Sequence, residues 1–345
     1  MRHSTMTYII SNSIYLDANK PRLPFSQKRG DVAEFLYFWS VIIHHKRNTA
    51  MSTQNRIIPP SELIVNDDGS IFHLHLKPEQ LADKIVLCGD PARVDMIASH
   101  FDSQECSVSN REFHSITGTY RGKRITVQSH GIGCDNIEIV INELDALANI
   151  DLETRQVRPN HRKLTMVRVG TSGGLQPDTP IGTYVAAHKA IGFEGSLFFY
   201  ANTEAIRDLP FEAALKEQLQ WPIKGLDPYV VNCSESLYQQ IVGDYGDIVR
   251  GCTIAANGFY APQGRQLRLP LADPKLNQKI EAFEYEGQRI TNFEMESAAL
   301  SGIGSLLGHD TLTVCYIIAG RQNLNMNTNY KQGIDGLIEL VLERI

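Results

Sequence analysis

The sequence predicts an α/β protein in which helices flank one twisted, mostly mixed central sheet. Short apolar runs recur after residue 71, and stretches with apolar residues on one helical face separate several of them. Alternating strands and helices of this kind pack in layers and place ligand sites at the strand ends. No internal repeat, low-complexity tract or linker is visible after residue 71. We therefore expect a single domain there.

Six apolar runs have the length and composition of strands. They are 84–88, 124–129, 164–169, 183–188, 251–256 and 311–319. Three further segments, 135–150, 211–220 and 329–345, repeat apolar residues at the helical period and predict amphipathic helices. The first of these helices opens with Asp135 and Glu138, which have the spacing of a capping box.

Composition excludes several classes of function. The net charge of -6 argues against nucleic acid as the main partner, because nucleic-acid sites need a basic surface. A small anionic ligand stays possible, since local arginine clusters decide its binding. The six cysteines are scattered, without CxxC or histidine-rich spacing, which is typical of reduced thiols in a cytoplasmic protein and predicts no metal site.

The first fifty residues differ from the rest. Their apolar run, 35–43, is too short to cross a bilayer, which takes about 20 residues. It also lies too late for a signal peptide and is followed by basic residues. We expect residues 1–50 to be a non-essential or disordered extension, residues 51–70 to lead in, and the domain to span 71–345, without contact to a membrane.

Two predicted strands combine glycine with arginine. The strand 84–88 is followed by Gly89 and by a helix that contains Arg93. A later strand contains Arg168 and leads into the glycine-rich loop 170–174. Glycine allows the backbone to approach an anion closely, and exposed amides together with arginine form an anion cradle. Taken singly, each loop is also compatible with an ordinary turn or a structural ion pair.

Other phosphate-binding motifs are incomplete. Gly131 and Gly133 are followed by Asn136 where the dinucleotide-binding pattern G-x-G-x-x-G needs a third glycine, and no GxxxxGK[ST] occurs. A third arginine, Arg111, opens a predicted hairpin that turns near Gly122.

Two glutamates stand where a predicted strand gives way to a helix of small apolar residues. Glu294 and Glu296 flank Met295 at this point. Acidic residues at a helix start interact favourably with the macrodipole, which is one interpretation. Ligand binding is the other, because residues two apart in an extended turn can approach one ligand.

Six segments, in this order, resemble the nucleoside phosphorylase-I family. They are FHLHL, GDPARV, REF, VRVGTSGGLQP, GFYAPQGR and NFEMESAAL, and the resemblance covers about residues 71–345. It implies a single α/β domain assembled as dimers that usually build a hexamer with shared active sites. The implied reaction is reversible phosphorolysis, in which a nucleoside and phosphate give ribose 1-phosphate and a free base. Phosphate is then a co-substrate, and no cofactor is expected.

Carried over to this sequence, the resemblance implies a phosphate site. It consists of Gly89, Arg93, Arg111, Arg168 and Thr171. Arg111 would reach in from a neighbouring subunit. This agrees with the chemistry of the residues, because guanidinium groups and backbone amides can replace the hydration of phosphate.

The resemblance also implies a ribose site. The backbone of Met295 and the carboxylate of Glu296 would bind the ribose hydroxyls, with Glu294 partly structural. His73 would reach across the dimer to the 5′-hydroxyl. Negative charge here suits a sugar that becomes oxocarbenium-like as the base departs.

The segment GFYAPQGR is expected to hold the base. Phe259 can stack on a ring, Gln263 offers a donor and an acceptor to the O2 and N3–H edge of uracil, and Arg265 suits O4. Donors aimed at these oxygens stabilise the leaving base, so we expect Gln263 and Arg265 to be catalytic residues, together with Arg168 of the phosphate site. The predicted substrates are uridine and phosphate.

Purine phosphorylases of this family carry Ser-Asp after the penultimate strand, and the aspartate protonates the purine. This chain has Ala319 and Gly320 there, followed by Arg321, which we expect to support the pyrimidine pocket. A purine nucleoside phosphorylase and a non-catalytic nucleoside-binding protein remain the alternatives. Some relatives hold a monovalent cation, but Glu112, Ile132 and Asn136 match those positions only partly, and we predict no metal.

Overall fold

The computed structural model describes residues 56–320 and 325–345, and an eleven-stranded mixed sheet lies at the centre of this part of the chain. The expectations for residues 1–50 and for Arg321 concern segments outside the described residues. Within the described part, no helix is long and apolar enough to cross a membrane.

The strands are β1 (Lys84–Cys88), β2 (Ser103–Asn110), β3 (Phe113–Tyr120), β4 (Lys123–Ser129), β5 (Ile150–Asp151), β6 (Gln156–Val157), β7 (Thr165–Gly174), β8 (Tyr184–Phe193), β9 (Tyr229–Asn232), β10 (Val249–Ala256), β11 (Glu284–Tyr285), β12 (Gln288–Arg289), β13 (Asn292–Glu294), β14 (Asp310–Gly320) and β15 (Asn325–Met326). The helices are α1 (Pro91–Ala98), α2 (Cys134–Asn149), α3 (Leu209–Leu219), α4 (Glu235–Ile241), α5 (Leu276–Ala282), α6 (Ser297–Leu307) and α7 (Lys331–Arg344). All six predicted strands and all three predicted amphipathic helices are present, so the α/β prediction is confirmed.

The predicted glycine-rich loop 170–174 is strand instead. β7 runs on to Gly174, because β14 pairs with it in parallel along its whole length, from Asp310 opposite Thr165 to Gly320 opposite Gly174. The predicted loop was wrong, since glycine in a strand marks close backbone approach as well as a turn.

The predicted capping box of α2 is also wrong. Gly133 is the N-cap residue, with a φ of 94°, and the helix begins at Cys134. The backbone N–H of Gly133 donates to Oε1 of Glu296 at 2.6 Å, so a distant carboxylate serves this helix start.

Five strands of the sheet close into a ring. β7 pairs with β14, β14 with β8, β8 with β10, β10 with β13, and β13 returns antiparallel to the end of β7. β1 lies beside β7 in parallel, with Leu87 opposite Arg168. This arrangement brings the carboxyl ends of β1 and β7 next to β13, which is the edge where parallel sheets hold ligands.

Helices cover both faces of the sheet. Along β1, Ile85 and Leu87 belong to a core with α2 and α6, whereas Val86 and Cys88 belong to a core with α1 and α7. This alternation with a period of two residues is the pattern of a strand buried on both sides.

Candidate active site

A cavity of about 950 Å³ opens at the carboxyl ends of β1 and β7. Ten residues that the sequence predicts for the site line it: Gly89, Arg93, Arg168, Thr171, Phe259, Gln263, Arg265, Glu294, Met295 and Glu296. Its wall also contains residues that sequence reasoning did not select, among them Phe293, Ile318 and Met326. Segments more than 200 residues apart in the chain thus meet around one space.

Arg168 lies in the middle of β7 and is buried. Its Nε donates to Nε2 of His130 at 3.1 Å, its Nη1 lies 3.1 Å from Oε2 of Glu294, and its Nη2 pairs with Oε2 of Glu296. Burial alone would lower the pKa of Arg168, but the two glutamates outweigh it and the pKa is raised. The guanidinium therefore stays charged and holds both carboxylates at the cavity wall.

Gly170 makes the position of Arg168 possible. A Cβ atom on Gly170 would lie 2.4 Å from Nη1 of Arg168, a distance that no packing tolerates. Two residues along a strand share a face, so the arginine folds over the bare backbone of the glycine. The sequence suggested that this glycine serves an anion, whereas the structure shows that it makes room for a side chain.

Glu294 and Glu296 have different tasks in the chain. The carboxylate of Glu294 accepts hydrogen bonds from the backbone N–H of Glu296 at 2.9 Å and of Ser297 at 3.0 Å, so it caps α6. Glu296 is the N-cap residue, but its side chain makes no cap and instead binds Gly133 and Arg168. Burial raises the pKa of Glu296, and Arg168 opposes that shift.

Arg93 provides a second buried cation, and it differs from Arg168. Its side chain projects from α1, and Nη1 donates to the carbonyl oxygen of Val169 at 3.3 Å. Among the described residues, no carboxylate lies within ion-pair distance of Arg93, although the residue is only 8% exposed. A buried charge without a partner is costly, and a bound anion would compensate it.

Gly89 lets the backbone of the same loop approach its neighbour. A Cβ on Gly89 would lie 3.0 Å from the carbonyl oxygen of Gly131. The next residue, Asp90, accepts the backbone N–H of Ala92 at 3.0 Å and so begins α1. These contacts hold the Gly89 backbone and Arg93 on one side of the cavity.

The loop that contains Phe259, Gln263 and Arg265 also lines the cavity. Nη1 of Arg265 donates to Oε1 of Gln263 at 2.7 Å and to the carbonyl oxygen of Phe259. The guanidinium lies 3.7 Å from the centroid of the Phe259 ring, and Asn277 donates to the carbonyl oxygen of Gln263 at 3.1 Å. Phe259 therefore stacks on Arg265, and the hydrogen bond between Arg265 and Gln263 holds the two polar side chains together.

Ala319 and Gly320 line the same cavity at the end of β14. Neither residue can carry a proton to a leaving group.

His73 and Arg111 do not line the cavity of their own chain. Nδ1 of His73 lies 2.6 Å from Oε1 of Glu143, and the Arg111 guanidinium lies 5.8 Å from the centroid of Phe72. The rings of Phe72 and His73 are 4.8 Å apart. Both residues thus lie beside Phe72, and neither belongs to the cavity lining, although Glu112, which follows Arg111, does.

One group of metal-ligand residue types lies away from the cavity and consists of Asp145, His161 and His309. Nδ1 of His309 accepts the backbone N–H of Leu164 at 3.2 Å, so the neutral ring carries its proton on Nε2, which lies 3.1 Å from Asp145. Both ring nitrogens of His309 thus have hydrogen-bond partners. Because Nε2 carries the proton, it offers no lone pair to a metal ion.

Sequence reasoning missed His130. The ring is fully buried next to Arg168. His130 directly precedes the incomplete dinucleotide-binding motif, and no local sequence pattern distinguishes it from a core histidine.

Comparison with known proteins places the chain in a family. The sequence profile of the phosphorylase superfamily matches residues 83–335. A uridine phosphorylase from Thermococcus kodakarensis is 31% identical over 263 residues, which is 74% of this chain and 79% of that protein. A purine nucleoside phosphorylase of the DeoD type from Levilactobacillus brevis is 38% identical, but only over 119 residues, 34% of this chain and 45% of that protein.

A solved structure is similar over a greater length. The nucleoside phosphorylase of Trypanosoma brucei, which shows uridine phosphorylase activity, is 27% identical and covers 82% of this chain and 98% of its own, with a TM-score of 0.72. The match of the profile, the extent of these similarities and the shared fold agree with one another. This chain belongs to the phosphorylase superfamily.

Proposed function

We propose that this protein catalyses the reversible phosphorolysis of uridine, giving uracil and ribose 1-phosphate. The observation that carries the proposal is the arrangement of two buried arginines in one cavity. Arg168 is neutralised by two glutamates, whereas Arg93 has no carboxylate partner among the described residues. A cavity that is lined both by a cation without a carboxylate partner and by the hydrogen-bonded pair Gln263 and Arg265 suits an anion and a base.

Phosphate would bind between Arg93, the backbone of Gly89 and Thr171, all of which line the cavity. Arg168 would act on phosphate mainly through its positive charge and not through direct hydrogen bonds, since each nitrogen of its guanidinium already faces a protein acceptor. Arg93 is therefore the residue that we expect to contact phosphate most directly. Its guanidinium can bind two phosphate oxygens at once.

The sugar would lie over Glu296. A carboxylate has about four lone-pair positions, and Gly133 and Arg168 occupy only part of them, so a ribose hydroxyl can still donate to it. Holding the ribose here orients C1′ for attack by a phosphate oxygen. The charge of the two carboxylates favours the positive charge that develops on the ring.

In the reaction, a phosphate oxygen forms a bond to C1′ while the bond from C1′ to N1 of uracil breaks. The electron pair of the broken bond moves onto uracil, and negative charge appears on its oxygens until N1 takes up the proton that the attacking hydrogen phosphate releases. Arg265 and Gln263 donate hydrogen bonds to this charge, which stabilises the transition state more than the bound substrate. The chemistry needs no group beyond the two substrates, so we propose phosphate as co-substrate and no cofactor.

Two alternatives make different predictions. Cleavage of a purine nucleoside is favoured by the partial similarity to DeoD-type enzymes but lacks an acid at Ala319 and Gly320. A non-catalytic nucleoside-binding protein would not need Arg93 in the cavity, since no carboxylate among the described residues pairs with it. The decisive experiment measures uracil release from uridine with and without added phosphate. Release that depends on phosphate supports the proposal, and release at full rate without phosphate contradicts it.

We further propose that the protein assembles as dimers, within a hexamer, with active sites shared between subunits. The support is that His73 and Arg111 both lie beside Phe72, outside the lining of their own cavity. On this proposal they face the cavity of a second copy, where Arg111 adds a cation for phosphate. The cytoplasm is the proposed location, and the six cysteines, none of which forms a disulfide, support it.

A further inference from the structure

His130 connects the two halves of the proposed phosphate site. Its backbone N–H donates to the carbonyl oxygen of Cys88 at 2.8 Å, which joins the residue to the end of β1. Its ring lies beneath Gly89, with Cε1 3.7 Å from the position that a Cβ of Gly89 would take. On the other side, Nε2 faces Nε of Arg168 at 3.1 Å.

The contact with Arg168 determines where the proton of His130 lies. A guanidinium nitrogen can only donate, so Nε2 of His130 must be an unprotonated acceptor. The neutral ring therefore carries its proton on Nδ1. Burial, followed by Arg168 and Arg93, holds the pKa of His130 well below its usual value, while the nearby carbonyl of Gly131 has a smaller opposite effect.

The surroundings of Nδ1 indicate that the contact with Arg168, and not a partner of Nδ1, sets the orientation of the His130 ring. It is buried and meets no partner in hydrogen-bond geometry among the described residues, and the backbone of Gly131 acts on the ring only by opposing the lowered pKa. Buried polar atoms almost always find a partner, so an unpaired Nδ1 calls for an explanation. The explanation is that Nε2 must face Arg168 as an acceptor, which fixes the position of Nδ1.

We propose that His130 is a positioning residue that acts through Arg168. By accepting the Nε–H it fixes the plane of the guanidinium, and the other two nitrogens then meet Glu294 and Glu296. Without this acceptor, the buried Nε–H would be unsatisfied and only the two glutamates would hold the guanidinium. The role in phosphorolysis rests on the proposed function, whereas the protonation of the ring does not.

The first test reads the ring directly. Nitrogen-15 NMR of the protein labelled at its histidines, near pH 7, should show one set of imidazole signals that is absent from His130→Gln. These signals should be those of a neutral ring with its proton on Nδ1. This measurement uses the wild-type chain and requires no catalysis. A proton on Nε2, or a doubly protonated ring, would overturn the proposal.

The second test compares two variants of similar volume. His130→Gln keeps an oxygen acceptor that can reach Nε of Arg168, whereas His130→Leu removes it. We expect kcat/KM for phosphate to fall by about tenfold or more in His130→Leu, which corresponds to the loss of one hydrogen bond to a charged group. In His130→Gln the value should stay within about threefold of the wild type, and kcat/KM for uridine should change less than the value for phosphate in both variants.

Rescue by glutamine separates positioning from packing. If both variants lose activity equally, with folded protein verified by circular dichroism, His130 only fills space and the proposal is wrong. If the wild type shows no phosphorolysis, the proposed function fails, but calorimetric titration with inorganic phosphate still tests the inference. Phosphate should then bind more weakly to His130→Leu than to His130→Gln, and equal binding would contradict the role.

Discussion

Arg168 and Glu296 form an ion pair in which each side chain is only 5% exposed. The two residues are 128 positions apart, and Glu294 and His130 complete the surroundings of the guanidinium. Because Glu296 lies where we place the ribose and Arg168 lies beside the proposed phosphate, the pair joins the two substrate sites. The same contacts hold the start of α6, so the site and the fold depend on one side chain.

Removal of Arg168 should therefore destabilise the protein as well as reduce activity. Arg168→Leu leaves two buried carboxylates without their cation, and breaking a buried pair costs about 3–5 kcal/mol. We expect a lower unfolding midpoint in denaturant and loss of activity. Arg168→Lys keeps a charge and should unfold between the two. A leucine variant as stable as the wild type would show that the ion pair does not support the fold.

Arg93 should behave in the opposite way. Since no carboxylate among the described residues depends on it, Arg93→Leu should leave the free energy of unfolding within about 1 kcal/mol of the wild type. Its kcat/KM for phosphate should fall by at least about tenfold, because hydrogen bonds to charged groups are worth roughly 1.5–3 kcal/mol. Steady-state kinetics with varied phosphate measures this loss. Arg121→Leu, at an exposed ion pair with Glu343, is the matched control for removal of one arginine.

If Arg93→Leu binds phosphate as well as the Arg121→Leu control, Arg93 is not the phosphate ligand, and its burial needs a different explanation.

Selectivity for the base should follow from Arg265. Cytosine presents an amino donor where uracil presents O4, so the guanidinium would face another donor, a mismatch that costs on the order of 1–3 kcal/mol. We expect kcat/KM for uridine to exceed the values for cytidine and inosine. Arg265→Leu should lose most of the activity on uridine, because it removes the donor to O4 and also the hydrogen bond from Arg265 to Gln263.

A panel of nucleosides at saturating phosphate measures this selectivity. Inosine cleaved as fast as uridine would mean that the cavity admits purines without an acid at Ala319 and Gly320. The purine alternative would then replace the present proposal.

Shared active sites predict complementation between inactive variants. Arg111→Ala should remove a cation from a neighbouring cavity, and Arg265→Leu should disable the cavity of its own chain. Subunits of the two variants that are mixed and reassembled should regain part of the uridine activity, since some cavities then combine two intact contributions. Each variant reassembled alone serves as the control. Mixtures no more active than the separate variants would show that Arg111 acts within its own chain or not at all.

The sequence was sufficient for the fold class and for ten of the residues that line the cavity. Strand and helix periods are local properties, so β1, β7, β14 and the amphipathic helices could be predicted from short windows. The ten cavity residues could be selected because they lie in contiguous motifs, and the resemblance covers those motifs in order. Local patterning failed where a partner strand decides the structure, as at 170–174, where β14 turns a glycine-rich segment into strand.

Only the tertiary structure decided what each of these residues contacts. Arg93 and Arg168 are both arginines close to a glycine in the sequence. In the structure, Arg168 pairs with two carboxylates, whereas Arg93 donates to a backbone carbonyl. His130 and Gly170 gain their importance from Arg168 alone, through one hydrogen bond and one close approach. Whether a buried charge is paired depends on side chains that arrive from distant segments, and the burial that makes pairing matter exists only once the chain has folded.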